Sequence, residues 1–361
     1  MTVIEKVHSE VLKVVRKFGL RANRYLDVDC GNGRFTLEIN LPQILNLRHM
    51  TSTHKFSVII LTTGADERLP YLNRLLQSLA VQSIKPWELI IASELSSGLE
   101  ELLKKYFCPC RNHRVLITGY WNKCKTANRA IKESRGDVVF LLEDDLILKE
   151  NFIEEMLKVF DLDPKIGCVH SRCIWVYREG LRSKGGVKGF IAKLISKLSI
   201  HESVLRRQIK KINSYLYEVP VFTMSVACRK EALYKAGLYD ESVGEPISGE
   251  DYDLALRVRR AGYKVVLNSR AISYHFTRQV TKKATRIKEE PNYLEGINES
   301  EVYFMVKNRS MLGSNNIMLH AIYRALESIA WGIRARRASA IVYGIHGVVK
   351  GLIKGISWSK S

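Results

Sequence analysis

Long apolar runs are missing from this chain: none of its 361 residues falls in a stretch approaching the roughly 18 apolar positions that a spanning helix requires. A bilayer-crossing segment is therefore not expected. The opening MTVIEKVHSEVLKVVRK places Glu and His among its apolar positions and has no continuous hydrophobic region, so it does not read as a secretory signal and a cytoplasmic location is expected. Paired cysteines are missing too. The seven, Cys30, Cys108, Cys110, Cys124, Cys168, Cys173 and Cys228, are odd in number and show no C-x-x-C spacing, which reads as mostly reduced thiols. Cys108-Pro109-Cys110 with His113 lacks a second ligand pair at zinc-finger spacing, so a loop with incidental cysteines is expected there. Acidic residues are in short supply: 37 Asp plus Glu face 57 Lys plus Arg, for a net charge of +20. Such a surface favours anionic partners. Nucleic acid is not expected among them, because no recognition motif or interleaving of aromatic and basic residues accompanies the charge.

What is present is a regular rhythm. Hydrophobic residues make up 46% of the chain, ample for a packed core. From Phe56 the apolar run FSVIIL leads into the helical pattern YLNRLLQSLAVQ, then WELIIA, a second helical stretch, HRVLIT, the helical KTANRAIKES and the strand VVFLL. Strands apolar on both faces and separated by helices predict an α/β fold with a mainly parallel sheet flanked by helices. Such sheets bind ligands beyond the carboxyl ends of their strands. At those ends stand Thr62, Thr63 and Glu67, then Ser93 and Glu94, then Glu143, Asp144 and Asp145.

Three consecutive carboxylates repel one another unless a cation sits among them. A hard divalent ion, Mn²⁺ or Mg²⁺, accepts one or two carboxylates and takes substrate phosphate oxygens for its remaining positions. The alternative is a helix start, with Asp144 or Asp145 capping a turn ahead of LKENFIEEMLKVF. The triplet resembles the D-x-D signature of glycosyltransferase family 2 with the GT-A fold. That resemblance runs from about Phe56 to His275 and, weakly, to Leu312. It includes Leu61-Thr62-Thr63-Gly64 followed by Glu67, and Thr126-Ala127-Asn128-Arg129-Ala130-Ile131 ahead of Gly136-Asp137. It implies an inverting transferase using a nucleotide-sugar donor and a hydroxyl acceptor. Thr62, Thr63, Glu67, Ser93, Glu94, Asn128, Glu143 and Asp144 would lie on the donor side, and Asp145 and His275 would hold the metal. Two departures stand out: Ser93-Glu94 replaces the usual paired aspartates, and Glu143 replaces the first aspartate of the triplet.

A second acidic block, Gly249-Glu250-Asp251-Tyr252-Asp253, precedes LALRVRRAGYKVVL. Acids at a helix start gain about 0.3–1 kcal/mol from the dipole and need no other purpose. The block is also similar to the family's E-D-x-D-L-x-x-R-x-x-x-x-G-Y, matched by Glu250, Asp251, Asp253, Leu254, Arg257, Gly262 and Tyr263. By that resemblance Asp251 is the general base, with Glu250 and Asp253 on the acceptor side. Lys123, Lys125, Arg278 and Lys282 are candidate phosphate contacts.

The expected domains are residues 1–54, 55–312 and 313–361, with a basic amphipathic insert at 177–219. Segment 25–35, YLDVDCGNGRF, resembles the first motif of S-adenosylmethionine-dependent methyltransferases, yet only about 20 residues separate it from the next unit, too few for a second nucleotide-binding domain. YFMVKNRSML from Tyr303 resembles the family's Y-x-x-x-R-N segment. The C-terminal helices mix apolar residues with Arg and Lys, which suits peripheral contact with the inner face of the cell membrane and an acceptor that is lipid-linked. A catalytically inactive scaffold with the same fold is the competing reading; retention of Asp145, Asp251 and His275 weighs against it.

Overall fold

The computed structural model describes residues 25–29, 34–38, 55–96, 98–107, 112–176, 208–223, 225–276 and 291–358. Expectations for 177–207, for Arg278 and Lys282, and for Cys30, Cys108 and Cys110 fall outside the described residues. The chain divides into two compact units, one of residues 1–50 with 177–182 and one of the remainder. In the first, β1 (Tyr25–Asp29) pairs antiparallel with β2 (Arg34–Glu38), Asp29 opposite Arg34.

The second unit is built on a ten-stranded sheet. Its parallel half comprises β3 (Phe56–Thr62), β4 (Glu88–Ser93), β5 (His113–Ile117) and β6 (Val138–Glu143), with crossover helices α1 (Leu69–Ala80), α2 (Leu99–Tyr106) and α3 (Lys123–Glu133). All seven residues of β3 are buried. Phe56, Val58 and Ile60 face one core, with α1, α2 and α4 (Phe152–Phe160), while Ile59 and Leu61 face the other, with α3. Each such side chain contributes about 1.5–3 kcal/mol on burial, so a sheet covered on both faces follows from this strand composition. Thr62 lies beside Ser93, and Leu61 beside Glu143. One edge therefore collects the polar strand ends.

The mixed half contains β7 (Leu146–Leu148), β8 (Ile166–Val176), β9 (Lys210–Lys211), β10 (Leu216–Glu218), β11 (Val226–Arg229) and β12 (Lys264–Phe276). Along the sheet the order is β5-β4-β3-β6-β11-β8-β12-β10-β9, with β7 paired to β12. The described end of the expected insert thus extends the sheet, as β9 and β10. Between these strands run α5 (Lys230–Lys235) and α6 (Glu250–Arg260). Cys168 and Cys228 stand opposite each other in the antiparallel β8–β11 pair and form a disulfide. The expectation of free thiols is corrected for this pair, because strand register brings together two cysteines 60 residues apart. Cys124 and Cys173 are free.

Four helices close the chain: α7 (Pro291–Lys307), α8 (Arg309–Leu312), α9 (Ser314–Ala335) and α10 (Ala338–Trp358). The helical segment begins at Pro291, well before the expected boundary at 313. Gly344, Gly347, Gly351 and Gly355 put a buried small-residue face on α10. A Cβ at Gly351 would lie 2.6 Å from the Glu299 carbonyl oxygen, and one at Gly355 would lie 2.5 Å from Val306 Cβ. Only glycine permits this approach to α7. Among the described residues, no helix is long and apolar enough to cross a membrane.

Candidate active site

Where β6 ends, three acids meet three different surroundings. Asp144 is buried and saturated: Arg68 Nε donates to Oδ2 at 2.9 Å, Thr62 Oγ1 donates to the same oxygen at 2.5 Å, and the Arg68 terminal nitrogen pairs with Oδ1. That same Arg68 nitrogen lies 3.1 Å from Asp145 Oδ2. Asp145 Oδ1 faces His275 Nε2 at 3.2 Å but makes no hydrogen bond among the described residues. Backbone pairing delivers the histidine: His275 registers with Leu146, and the Phe276 amide donates to the Asp145 carbonyl at 3.1 Å. Trp175, its neighbour in β8, meets the imidazole edge-on with centroids 4.3 Å apart.

Glu143, Asp145 and His275 each present a ligating atom within 4.8 Å of the others. Asp145 Oδ1 and His275 Nδ1 are buried without a hydrogen-bond partner among the described residues, a cost that a bound cation or an ordered water would relieve. Burial pushes the Asp145 carboxyl up, but His275 and Arg68 outweigh it and hold the group below its ordinary range. The site thus keeps an anion where a cation would bind. Two carboxylates with one imidazole form a donor set that fits a divalent ion.

The second acidic block reaches the same place. At the start of α6 its backbone turns through Gly249, whose φ of +87° is left-handed, a conformation open to glycine at little cost. Lys123, at the start of α3, spans the two blocks: its Nζ lies 2.8 Å from Glu143 Oε1, 2.5 Å from Glu250 Oε1 and 3.3 Å from Asp251 Oδ2. Burial would lower the Lys123 ammonium, yet Asp251, Glu143 and Glu250 together raise it well above its ordinary value. It stays charged. Burial pushes Glu250 up to about 7, with Lys123 opposing. The hydroxyl of Tyr239 donates to Asp251 Oδ1 at 2.8 Å. Burial lowers His170 to about 4, so a neutral imidazole lies in the field of Asp251.

Not every expected residue joins this cluster. Asp253, two positions along α6 from Asp251, turns to the opposite side of the helix: Arg257 donates at 2.8 Å, Asn308 at 2.8 Å and Lys307 at 3.2 Å. The amide of Asn128 is committed to the Tyr239–Glu241 loop through three hydrogen bonds. Glu67 is exposed on the turn Asp66–Arg68, and Glu94 is half-buried after β4. Ser93 Oγ is buried without a hydrogen-bond partner among the described residues. Thr63 Oγ1 accepts from the Ala65 amide at 3.4 Å. Arg68 and Tyr239 were not anticipated from the sequence. Their signals, one arginine after the first strand and a Tyr-Asp-Glu run, are too common to stand out.

Residues 57–235 match the family described as Glycosyl transferase family 2. Among solved structures, the chain is similar to GalNAc-T7 with UDP, GalNAc and Mn²⁺, at 14% identity and a TM-score of 0.48, covering 79% of this chain and 58% of that one. A mannosyltransferase, PcManGT from Pyrobaculum calidifontis with GDP-Man and Mn²⁺, is 15% identical with a TM-score of 0.47, covering 86% and 89%. TarS from S. aureus with UDP-GlcNAc is 14% identical with a TM-score of 0.46, covering 85% and 92%. The chain therefore spans somewhat over half the length of GalNAc-T7. No curated protein sequence matches it. The family match covers the parallel strands, the acidic turn and Lys123, and it identifies residues 57–235 as a glycosyl transferase family 2 domain.

Proposed function

We propose that the chain is an inverting, metal-dependent glycosyltransferase that moves a sugar from a nucleoside-diphosphate sugar to a hydroxyl acceptor. One observation carries the reading: Glu143, at the end of β6, and Glu250 and Asp251, opening α6, converge on a single ammonium, that of Lys123. Asp145 and His275, with Glu143, would hold Mn²⁺ or Mg²⁺, and such an ion neutralises charge on a departing diphosphate. The mixed oxygen and nitrogen set favours Mn²⁺ of the two. Asp251 takes the proton of the acceptor hydroxyl as that oxygen bonds to the anomeric carbon. The bond from this carbon to the diphosphate oxygen breaks, and its electron pair leaves with the nucleoside diphosphate. Attack opposite the leaving group inverts the anomeric centre. Tyr239 orients the carboxylate through its hydrogen bond, and a positioned base of this kind contributes about 10²–10⁴-fold.

On the donor side the reading keeps Thr62, Thr63, Glu67, Ser93, Glu94, Asn128, Glu143 and Asp144. Asp144 and Asn128 act there through the residues they hold, Arg68 and the Tyr239–Glu241 loop. Glu250 belongs to the acceptor side, and Asp253 supports the helix that carries it. The proposed acceptor is lipid-linked and the proposed place of work is the cytoplasmic face of a membrane. A net charge of +20 supports this, because that leaflet is anionic. Cys168 and Cys228 are fully buried, out of reach of soluble reductants.

Incubation with a panel of nucleotide sugars and Mn²⁺ tests the reading. Nucleoside diphosphate release with acceptor is expected from the wild type. Asp251→Asn should bind donor but transfer sugar about 10²–10⁴-fold more slowly, and normal transfer by that variant would remove Asp251 from the role of base.

A further inference from the structure

We propose that the aliphatic stripes on α9 and α10 form the surface by which this protein docks onto a bilayer containing anionic lipid. The proposal rests on the membrane-side reading above and specifies its contact face. On α10, Val342, Ile345, Val349, Ile353 and Ile356 are all exposed and recur every three or four positions. Such spacing sets them along one helix face, opposite the glycines packed on α7. On α9, exposed Leu319, Ile322 and Leu326, with Ile333 seven positions further on, share one face in the same way. Ile333, Val342 and Ile353 are 67%, 65% and 60% exposed; more than half of each side chain would stand in water if nothing covered it.

The two stripes are continuous. Between them runs an apolar groove of about 470 Å³, to which Met318 and Ile322 contribute from α9 and Leu352 and Ile356 from α10. Contiguous exposed apolar surface on a monomer marks a site of contact with a protein or a membrane. Charge identifies the occupant. Residues 309–358 carry seven bases, Arg309, Arg324, Arg334, Arg336, Arg337, Lys350 and Lys354, against one acid, Glu327. Lys350 and Lys354 are answered by Glu295 and Glu299 of α7, and Arg324 by Glu301 and Glu327, whereas Arg309 lines the groove and exposed Arg336 closes α9. A second copy of a chain with net charge +20 would be repelled. Anionic headgroups would be attracted, each basic residue near the surface adding to the hold. Neither helix is apolar enough to cross, so both lie in the interface plane with their stripes among the acyl chains.

The test is flotation of the full chain with phosphatidylcholine vesicles, with and without phosphatidylglycerol. The wild type should float with the anionic vesicles at low salt. The double variant Val349→Glu/Ile353→Glu should partition about a hundredfold less, having lost two apolar anchors and gained two like charges, while its circular dichroism and donor-dependent nucleotide release in the absence of vesicles stay those of the wild type. Three results would overturn the proposal: a wild type that does not float, a variant that floats equally well, or a dimer seen by light scattering that the variant dissolves. If neither protein releases nucleoside diphosphate, the catalytic reading fails while flotation still decides this one.

Discussion

Asp251 and Asp253 sit two residues apart on α6, both buried, and meet opposite surroundings. Asp253 is surrounded by donors from Arg257, Lys307 and Asn308. Asp251 has one phenol and a share of one ammonium that also serves Glu143 and Glu250. A carboxylate whose lone pairs are all committed holds structure together. One whose partner is shared three ways is available to a substrate proton. The difference lies in helix geometry: two positions along α6 rotate a side chain by about 200°, so one faces the sheet edge and the other faces α7. Of the residues of the Y-x-x-x-R-N likeness, Lys307 and Asn308 thereby grip the segment carrying Asp251 from behind, while Tyr303 and Lys307 hold Asp240 at 2.7 and 2.6 Å.

Substitution at the two aspartates should separate their roles. Asp251→Asn is expected to lower kcat by about 10²–10⁴-fold with little change in the urea midpoint. Asp253→Ala is expected to cost about 3–5 kcal/mol of stability, because it strands buried cations, and urea unfolding reads that loss directly. Equal loss of stability in both variants would erase the contrast. At the proposed metal site the readout is the metal requirement. Chelation should abolish turnover, and Asp145→Asn should raise the Mn²⁺ concentration for half-maximal activity by at least the 10–100-fold that follows loss of a group merely supporting a ligand. An unchanged requirement would free Asp145 from metal binding.

Much of the parallel half was legible because both-face apolar strands admit few alternatives, and the polar residues after β3, β4 and β6 fall on the edge where chain direction puts them. Asp145 and His275 could be paired only through the family likeness, since 130 positions separate them and the β7–β12 register that joins them leaves no periodic trace. Lys123 was one of 57 basic residues; nothing local distinguishes a bridging ammonium from a solvated one. The inward turn of Asn128 depends on the Tyr239–Glu241 loop, and the Cys168–Cys228 bridge depends on strand register. Asp253 is different: its helical offset from Asp251 was already implicit in the motif, and periodicity alone could have set the two on separate faces. The stripes of α9 and α10 are visible as spacing, but which face remains open depends on where α7 packs.

Glu301 extends the comparison to pH. On α7 it accepts from Ser248 Oγ at 2.7 Å, next to Gly249 where the backbone turns toward Asp251, and it faces Arg324 at 3.3 Å and His320 at 3.4 Å. Burial alone would raise its carboxyl, but His320, Arg324 and Ser248 prevail and hold it at about 2 against an ordinary 4.5. A depressed acid stabilises the fold fully above its unfolded pKa and loses that contribution as pH falls through its folded one. The ionised group is thus worth about 3 kcal/mol at neutral pH. Unfolding of the wild type and of Glu301→Gln in urea should therefore differ by about this much at pH 7 and progressively less from pH 4.5 toward pH 2. A gap that stayed constant over that range would show that Glu301 anchors the turn by packing alone, and the contrast between a committed clamp and an available base would then rest on Asp253 and its three partners.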